Sequence, residues 1–444
     1  MKLFSFFDVF LMLFISVLVN RGDTNTVVEP FVNSPINLSW IGGTDYNNTV
    51  FRGISCFRLS RRANALKKMT SDNKRYIIRF QYDLKGDTLR LGKNCCLDFR
   101  GGQLLNGVVI GKNSKIKYNS TPVFNSVHIQ GTWDVPLIKT SMFADAKKEN
   151  VLIQLFNLTN EHNYNKVVIE AGDYLIRANV NNDGILRPKS NTEIVLEGII
   201  TLLPTEYQDY QIMSIYGAEN VYLHGKGQIK GDLYEHNYEK IRGTHEWGHG
   251  LTIRGCKNVL VEGITVKNCT GDACSVGAQA YGDLEKAVPT GVPSINVELK
   301  NCRFESSRRQ GLTITFASYV TVNNCVFDGI YNTYKGTPPG AAIDIEPDNT
   351  GTVEYDRGSE VYHIIIMNTS FHNCRQGIVS WKSLDSNDTR WFRDLQINNC
   401  TFTGIDENCL NITGFDDVRV RNITKIDSNK KDRFYKCKNV DYPD

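Results

Sequence analysis

Seven side chains suited to acid–base chemistry or binding recur at fixed offsets in the second half of the chain: His249, Asp272, Arg309, Asp344, Glu346, Arg375 and Trp381. Their order emerges when short segments are stacked. Residues 250–253 (GLTI) align with 273–276 (ACSV), 311–314 (GLTI), 342–345 (AIDI), 377–380 (GIVS) and 409–412 (CLNI). Strand alternation turns the second and fourth residues of each segment inward and the third outward. In this register His249, Asp272, Gln310, Ala341 and Gln376 share a column, with Gly248, Gly271, Arg309, Gly340 and Arg375 one residue earlier. The outward position holds Thr252, Ser275, Thr313, Asp344 and Val379, and two residues on come Arg254, Gly277, Thr315, Glu346 and Trp381. At about 4.8 Å per coil these groups line one face for roughly 20 Å. Carboxylates, guanidinium groups and an aromatic plane are what an acidic glycan requires: general acid and base, carboxylate clamps and a stacking surface.

The expected catalytic residues are Asp272, Asp344, Glu346 and His249. The expected substrate-binding residues are Arg309, Gln310, Arg375, Trp381, Arg254 and Trp247. Asp272 and Asp344 lie two coils apart, about 9–10 Å along the axis, near the upper end of the separation for inverting glycoside hydrolysis. Asp344 and Glu346 alternate on one strand, about 7 Å apart, within the same window. A lyase would instead use His249 as base and Arg309 or Arg375 to neutralise a sugar carboxylate. Calcium held by Asp344, Glu346 and Asp348 is a third option, and no other cofactor is indicated. Plain structural roles compete: a Gly-Asp turn for Asp272, a satisfied histidine for His249, simple ion pairing for Arg309, and a covered hydrophobe for Trp381. The polar, aromatic insertion at 232–245 is either a substrate-gripping loop or a surface excursion.

The elements that place these residues are strands of a repeating coil. Segments such as VTVNNCVF (320–327) and LQINNCTF (395–402) end in a polar turn at asparagine. Asn301, Asn324, Asn368, Asn399 and Asn422 follow at intervals of 23, 44, 31 and 23 residues. A period near 23 with insertions predicts a β-solenoid, with the asparagines in a ladder and Cys302, Cys325 and Cys400 as small buried rungs. Few disulfides are expected, and Cys95-Cys96 is too close for a zinc ligand pair. The front half has shorter strands with Gly-rich turns. Residues 145–158 show helical spacing and suit a cap over an open solenoid end.

The expected order is a signal peptide at 1–22, an N-terminal β segment at 23–140, a β-helix at 141–425 and a C-terminal tail at 426–444. The apolar run after Lys2 is short and soon followed by polar residues, which points to export to the periplasm, the cell surface or the medium, with no membrane span remaining. The net charge of +3 over 444 residues gives no basic stripe for nucleic acid. Oligomeric state is left open.

Residues 145–176, with Gly172-Asp173-Tyr174, resemble the cap and first coil of the pectate-lyase-like right-handed parallel β-helix superfamily. Residues 220–231 (NVYLHGKGQIKG) resemble a polygalacturonase-like Gly-x-Gly-x-Ile-x-Gly segment, with Lys230 where that family has Asp. The likeness spans roughly residues 140–425 and implies an all-β, right-handed parallel β-helix. Gly271-Asp272-Ala273-Cys274 looks like that family's Asp-Asp-Cys segment, which implies Asp272 as a catalytic residue. Gly271 replaces the preceding Asp, Gly248-His249-Gly250 comes before rather than after the aspartate, and the Arg-x-Lys motif is missing. The functional expectation is therefore an exported enzyme cleaving a polysaccharide as hydrolase or lyase. The alternative is a non-catalytic, tailspike-like glycan-binding β-helix, and a purely structural solenoid is a third reading.

Overall fold

The computed structural model describes residues 36–41, 55–59, 66, 69–145, 149, 151–178, 184–279, 292–332, 335–346, 361–381, 392–428 and 430–442. The expected signal peptide lies outside them. From residue 165 the chain winds through three parallel ladders. One runs from Asn165–Ile169 through Thr192–Leu196, Glu219–Gly225 and Lys257–Glu262 to Phe415–Ile426. A second, of short strands such as Gln228–Lys230, Thr265–Lys267 and Arg303–Glu305, buries only its middle residue at each rung. That is the period-2 pattern of a sheet with one face on a core.

The third ladder positions the site. Its strands are Asp209–Tyr216, Trp247–Arg254, Cys274–Gly277, Leu312–Ile314, Ala341–Ile345, Gln376–Ser380, Leu410–Thr413 and Arg433–Tyr435. The register stacks Leu251, Cys274, Leu312, Ile343, Ile378 and Leu410, as the alternation predicts. These side chains are fully buried. Deeper in the core Phe304, Phe327, Phe371 and Phe402 stack with ring centroids 5.0, 5.4 and 4.6 Å apart.

Turns between ladders are set by asparagine. Asn301, Asn324, Asn368, Asn399 and Asn422 all have φ between 52° and 56°, the left-handed region asparagine tolerates better than most residues. Their amides run up the axis: Asn324 donates to Asn301 at 2.7 Å and Asn399 to Asn368 at 2.8 Å. A second ladder, Asn191, Asn220, Asn258 and Asn296, follows the same rule. All twelve cysteines are free thiols. Cys302, Cys325 and Cys400 are buried, and each thiol faces a carbonyl of the neighbouring coil.

The helix is Val151–Asn157, shorter than the 145–158 stretch expected, and buries Val151, Leu152, Leu155 and Phe156. Its Gln154 accepts the Ile129 N–H at 2.6 Å and its Asn157 donates to the Ile129 carbonyl at 3.0 Å. The helix thus satisfies backbone groups of the Phe124–Trp133 strand, as a cap must. The N-terminal strands are themselves paired in parallel, Lys74–Ile78 on Cys96–Phe99 and that on Gln103–Tyr118. Leu137–Lys139 then pairs with Asn165–Ile169. The residues expected as a C-terminal tail carry Arg433–Tyr435 and Lys438–Asp441, which add rungs to two ladders.

Candidate active site

The outward column of the third ladder is polar yet buried: Ser214, Thr252, Ser275, Thr313 and Asp344 are each at most 3% exposed. Buried polar groups need partners, so their contacts define the site. Asp272, in the neighbouring column, is 1% exposed. Its Oδ2 lies 2.8 Å from the Thr313 hydroxyl and 3.3 Å from Arg309 Nη1. The Arg309 Nη2 reaches Glu346 Oε1 at 3.3 Å, and its Cζ sits 5.2 Å from the centre of the Trp247 ring. Burial lowers the guanidinium pKa, but Asp272, Glu346, Asp344 and Glu246 around it more than reverse that, so it is raised overall.

Asp344 differs from Asp272. Its Oδ2 accepts the Gln310 amide N–H at 2.7 Å, and among the described residues its Oδ1 has no hydrogen-bond partner. Burial drives its pKa well above the usual carboxylate range. The Glu346 charge adds to this, Arg309 opposes it, and Asp272 adds a smaller push. Burial and the Glu346 charge thus favour its protonated form. Between the aspartates, the Thr313 hydroxyl lies within hydrogen-bonding reach of both Asp272 and the Gln310 amide oxygen.

His249 is 3% exposed, and its Nδ1 accepts the Asp272 backbone N–H at 3.1 Å. That contact fixes the neutral tautomer with its proton on Nε2. Burial pushes its pKa down to about 4, against an upward pull from Asp272 and with Arg254 and Arg309 pushing further down. The lone pair that a base at His249 would use is thus engaged by the Asp272 N–H.

The structure thus joins Asp272, Asp344, Glu346, His249, Arg309, Gln310 and Trp247 in one network. Arg254 touches it through Ser275 at 3.4 Å. Arg375 is engaged elsewhere, donating to Glu407 at 3.1 Å and stacking on Tyr331 at 4.8 Å. Trp381 follows Glu346 in register and is 54% exposed, so it is not a covered hydrophobe. Sequence reasoning did not select Thr313 or Glu246 as site residues. Thr313 was visible in the outward column, whereas Glu246 depends on how the 232–245 insertion folds. That insertion is anchored by a buried chain: Tyr210 donates to Asp232 at 2.7 Å, Asp232 lies 2.9 Å from His236, and His236 lies 2.9 Å from His245. Arg308 donates to the His245 and Thr270 carbonyls at 2.7 and 3.0 Å.

Among the described residues no group of three or more His, Cys, Asp or Glu is placed to hold a metal ion. The Arg309 guanidinium sits between Asp272 and Glu346, where calcium would need ionised oxygens, and Asp348 lies outside the described residues. No described helix is long and apolar enough to cross a membrane.

Residues 240–425 match the family model of the right-handed β-helix region. This chain is a right-handed parallel β-helix. The β-helix is 33% identical over 220 residues to the uncharacterized protein YclG of Bacillus subtilis (strain 168), covering 47% of this chain and 36% of that protein. It is 30% identical over 233 residues to the SPβ prophage-derived uncharacterized protein YorA of Bacillus subtilis (strain 168), covering 50% and 38%. The matches therefore span little more than a third of those relatives. Among solved structures the β-helix is similar to the tailspike protein of E. coli bacteriophage HK620 in complex with pentasaccharide, at 14% identity and TM-score 0.39 over 62% of this chain and 57% of that one. That likeness is one of fold.

Proposed function

We propose that this β-helix is an exported enzyme that hydrolyses a glycan, with Asp344 as general acid and Asp272 as general base. The observation that carries this reading is Asp344 itself: a buried carboxyl whose protonated form burial favours, its Oδ1 without a hydrogen-bond partner among the described residues, two coils from a carboxylate paired to a cation. A buried carboxyl whose protonated form is favoured, beside a second carboxyl held against a guanidinium, is an arrangement that suits an acid and a base. Their spacing, about 10 Å by coil repeat, lies just beyond the roughly 6.5–9.5 Å typical of inverting hydrolysis. Among the described residues six buried side-chain atoms lack hydrogen-bond partners, and three of them (Asp344 Oδ1 on this sheet, Arg309 Nε and Thr315 Oγ1 on the residues flanking its Leu312–Ile314 strand) lie where ligand groups would satisfy them.

Hydrolysis is favoured over elimination. A lyase needs a free base and a free cation, whereas His249 Nδ1 is occupied and Arg309 is shared between Asp272 and Glu346. The same pairing removes the reason to require an acidic glycan. Trp247 and Trp381, about half exposed, are the expected stacking surfaces. Their exposure also suits glycan binding without turnover, which is the second reading. A panel of neutral and acidic polysaccharides, assayed for new reducing ends and for the ultraviolet absorbance of an unsaturated sugar, separates the outcomes. Reducing ends without that absorbance support hydrolysis, and absorbance overturns it in favour of a lyase. Binding with no product from any glycan leaves the second reading.

A further inference from the structure

The two aspartates are joined by three consecutive hydrogen-bond contacts. Asp272 Oδ2 meets the Thr313 hydroxyl at 2.8 Å, that hydroxyl meets the Gln310 amide, and the other end of the amide meets Asp344 Oδ2 at 2.7 Å. Every member is buried, so no solvent proton can fill a gap, and each contact needs one proton between its heavy atoms. Thr313 supplies one proton and the amide NH2 supplies one. The third must ride on a carboxyl group. We propose that Asp272 and Asp344 share a single proton through Gln310 and Thr313, and that these two positioning residues allow it to reside on either aspartate but not on both or neither.

The chain can be satisfied in two directions. In one, Asp344 donates to the Gln310 carbonyl, the amide N–H donates to Thr313, and Thr313 donates to Asp272. In the other, Asp272 donates to Thr313, Thr313 to the Gln310 carbonyl, and the amide N–H to Asp344. Amide oxygen and nitrogen have the same shape, so rotating the amide converts one arrangement to the other without moving the backbone. The amide stands with its N–H toward Asp344 and its oxygen toward Thr313, the second direction; turning it over gives the first, which the charged and titratable surroundings favour. Asp272 faces the Arg309 guanidinium at 3.3 Å. Among the described residues Asp344 has no comparable cation contact, and Glu346 stands beside it. His249 is neutral, and Arg254 and Glu246 complete the groups around the pair. The resting proton is therefore on Asp344.

The consequence for turnover rests on the hydrolase reading. Rotation of the Asp344 carboxyl about its soft χ2 presents the protonated oxygen to the sugar. The Asp344 O–H bond breaks as its proton passes to the glycosidic oxygen, whose bond to the anomeric carbon breaks. Water bonds to that carbon and its proton passes to Asp272. The result is an ionised Asp344 and a protonated Asp272, which is the second arrangement of the same chain. The network is complete both before and after the reaction, and the reverse proton shift along Thr313 and Gln310 after product release returns it to the first.

The test uses the full chain with Thr313→Val, Thr313→Ser, Gln310→Leu and Asp344→Asn. Infrared spectra at neutral pH should show one protonated-carboxyl band that is lost in Asp344→Asn. The band should shift in Thr313→Val and Gln310→Leu, and return to its wild-type position in Thr313→Ser. On a glycan that wild type cleaves, the acid and alkaline limbs of the kcat/KM profile should move toward each other in Thr313→Val, and Thr313→Ser should restore them. Absence of the band, or a band unchanged by Thr313→Val and Gln310→Leu, overturns the shared proton even if glycans are cleaved. Conversely, a band that behaves as described in a protein that cleaves no glycan upholds the shared proton and removes the hydrolase reading.

Discussion

Asp344 is a carboxylic acid in a place where a neutral amide would be easier to keep. Its folded pKa is raised by burial, so ionisation opposes folding as pH rises above the ordinary carboxylate range. Asp344→Asn should therefore raise the melting temperature at neutral pH while lowering turnover about 10²–10⁴-fold, the usual loss when a general acid is removed. Calorimetry beside a reducing-end assay checks this, and loss of both stability and activity would mean a structural role. His249 behaves in the opposite sense. Its folded pKa of about 4 lies below the roughly 6.5 of a free imidazole. The unfolded chain therefore binds the extra proton between those values, and stability falls as pH drops through that window, by on the order of 3 kcal/mol. His249→Asn, which offers an amide oxygen to the Asp272 N–H, should flatten that slope in urea titrations run at pH values inside and above the window.

At the scale of the element, the left-handed asparagine turn sets where each coil bends. Asn324 holds φ 53° and its amide reaches Asn301 at 2.7 Å. Asn324→Ala should lose both conformation and hydrogen bond, about 2–3 kcal/mol, whereas Asn324→Gly should lose mainly the bond, about 1 kcal/mol. Chemical denaturation of the two variants distinguishes these contributions. This order was legible in the sequence because a period-2 strand and a turn residue leave one self-consistent alignment. The columns of Asp272, Gln310, Thr313 and Asp344 stand where the alignment of Leu251, Cys274, Leu312 and Ile343 put them. What the pattern could not show is which side chains pair across columns. Arg309 was open to simple ion pairing, and it bridges Glu346 in one neighbouring coil and Asp272 in the other. The fold of 232–245 was likewise hidden, because its anchor joins Asp232, His236 and His245 to Tyr210 and Arg308 from distant coils.

At the scale of the whole molecule, a solenoid is stabilised by contacts between neighbouring coils. Phe371 stacks between Phe327 and Phe402. Phe371→Ala should cost about 3–5 kcal/mol. Hydrogen exchange should show the loss of protection centred on the coils of Phe327 and Phe402 and fading away from them. Uniform loss along the chain would contradict a nearest-neighbour solenoid. The same stacking holds Asp272 and Asp344 at a fixed separation, since two rungs of the ladder set that distance. The most direct measurement is release of reducing ends from a polysaccharide panel by wild type, Asp272→Asn and Asp344→Asn, with glycan binding recorded in parallel. Release by wild type, with both variants binding the glycan but failing to cleave it, is the predicted result. Equal release by all three, or none by wild type from any glycan, would contradict the paired-aspartate account.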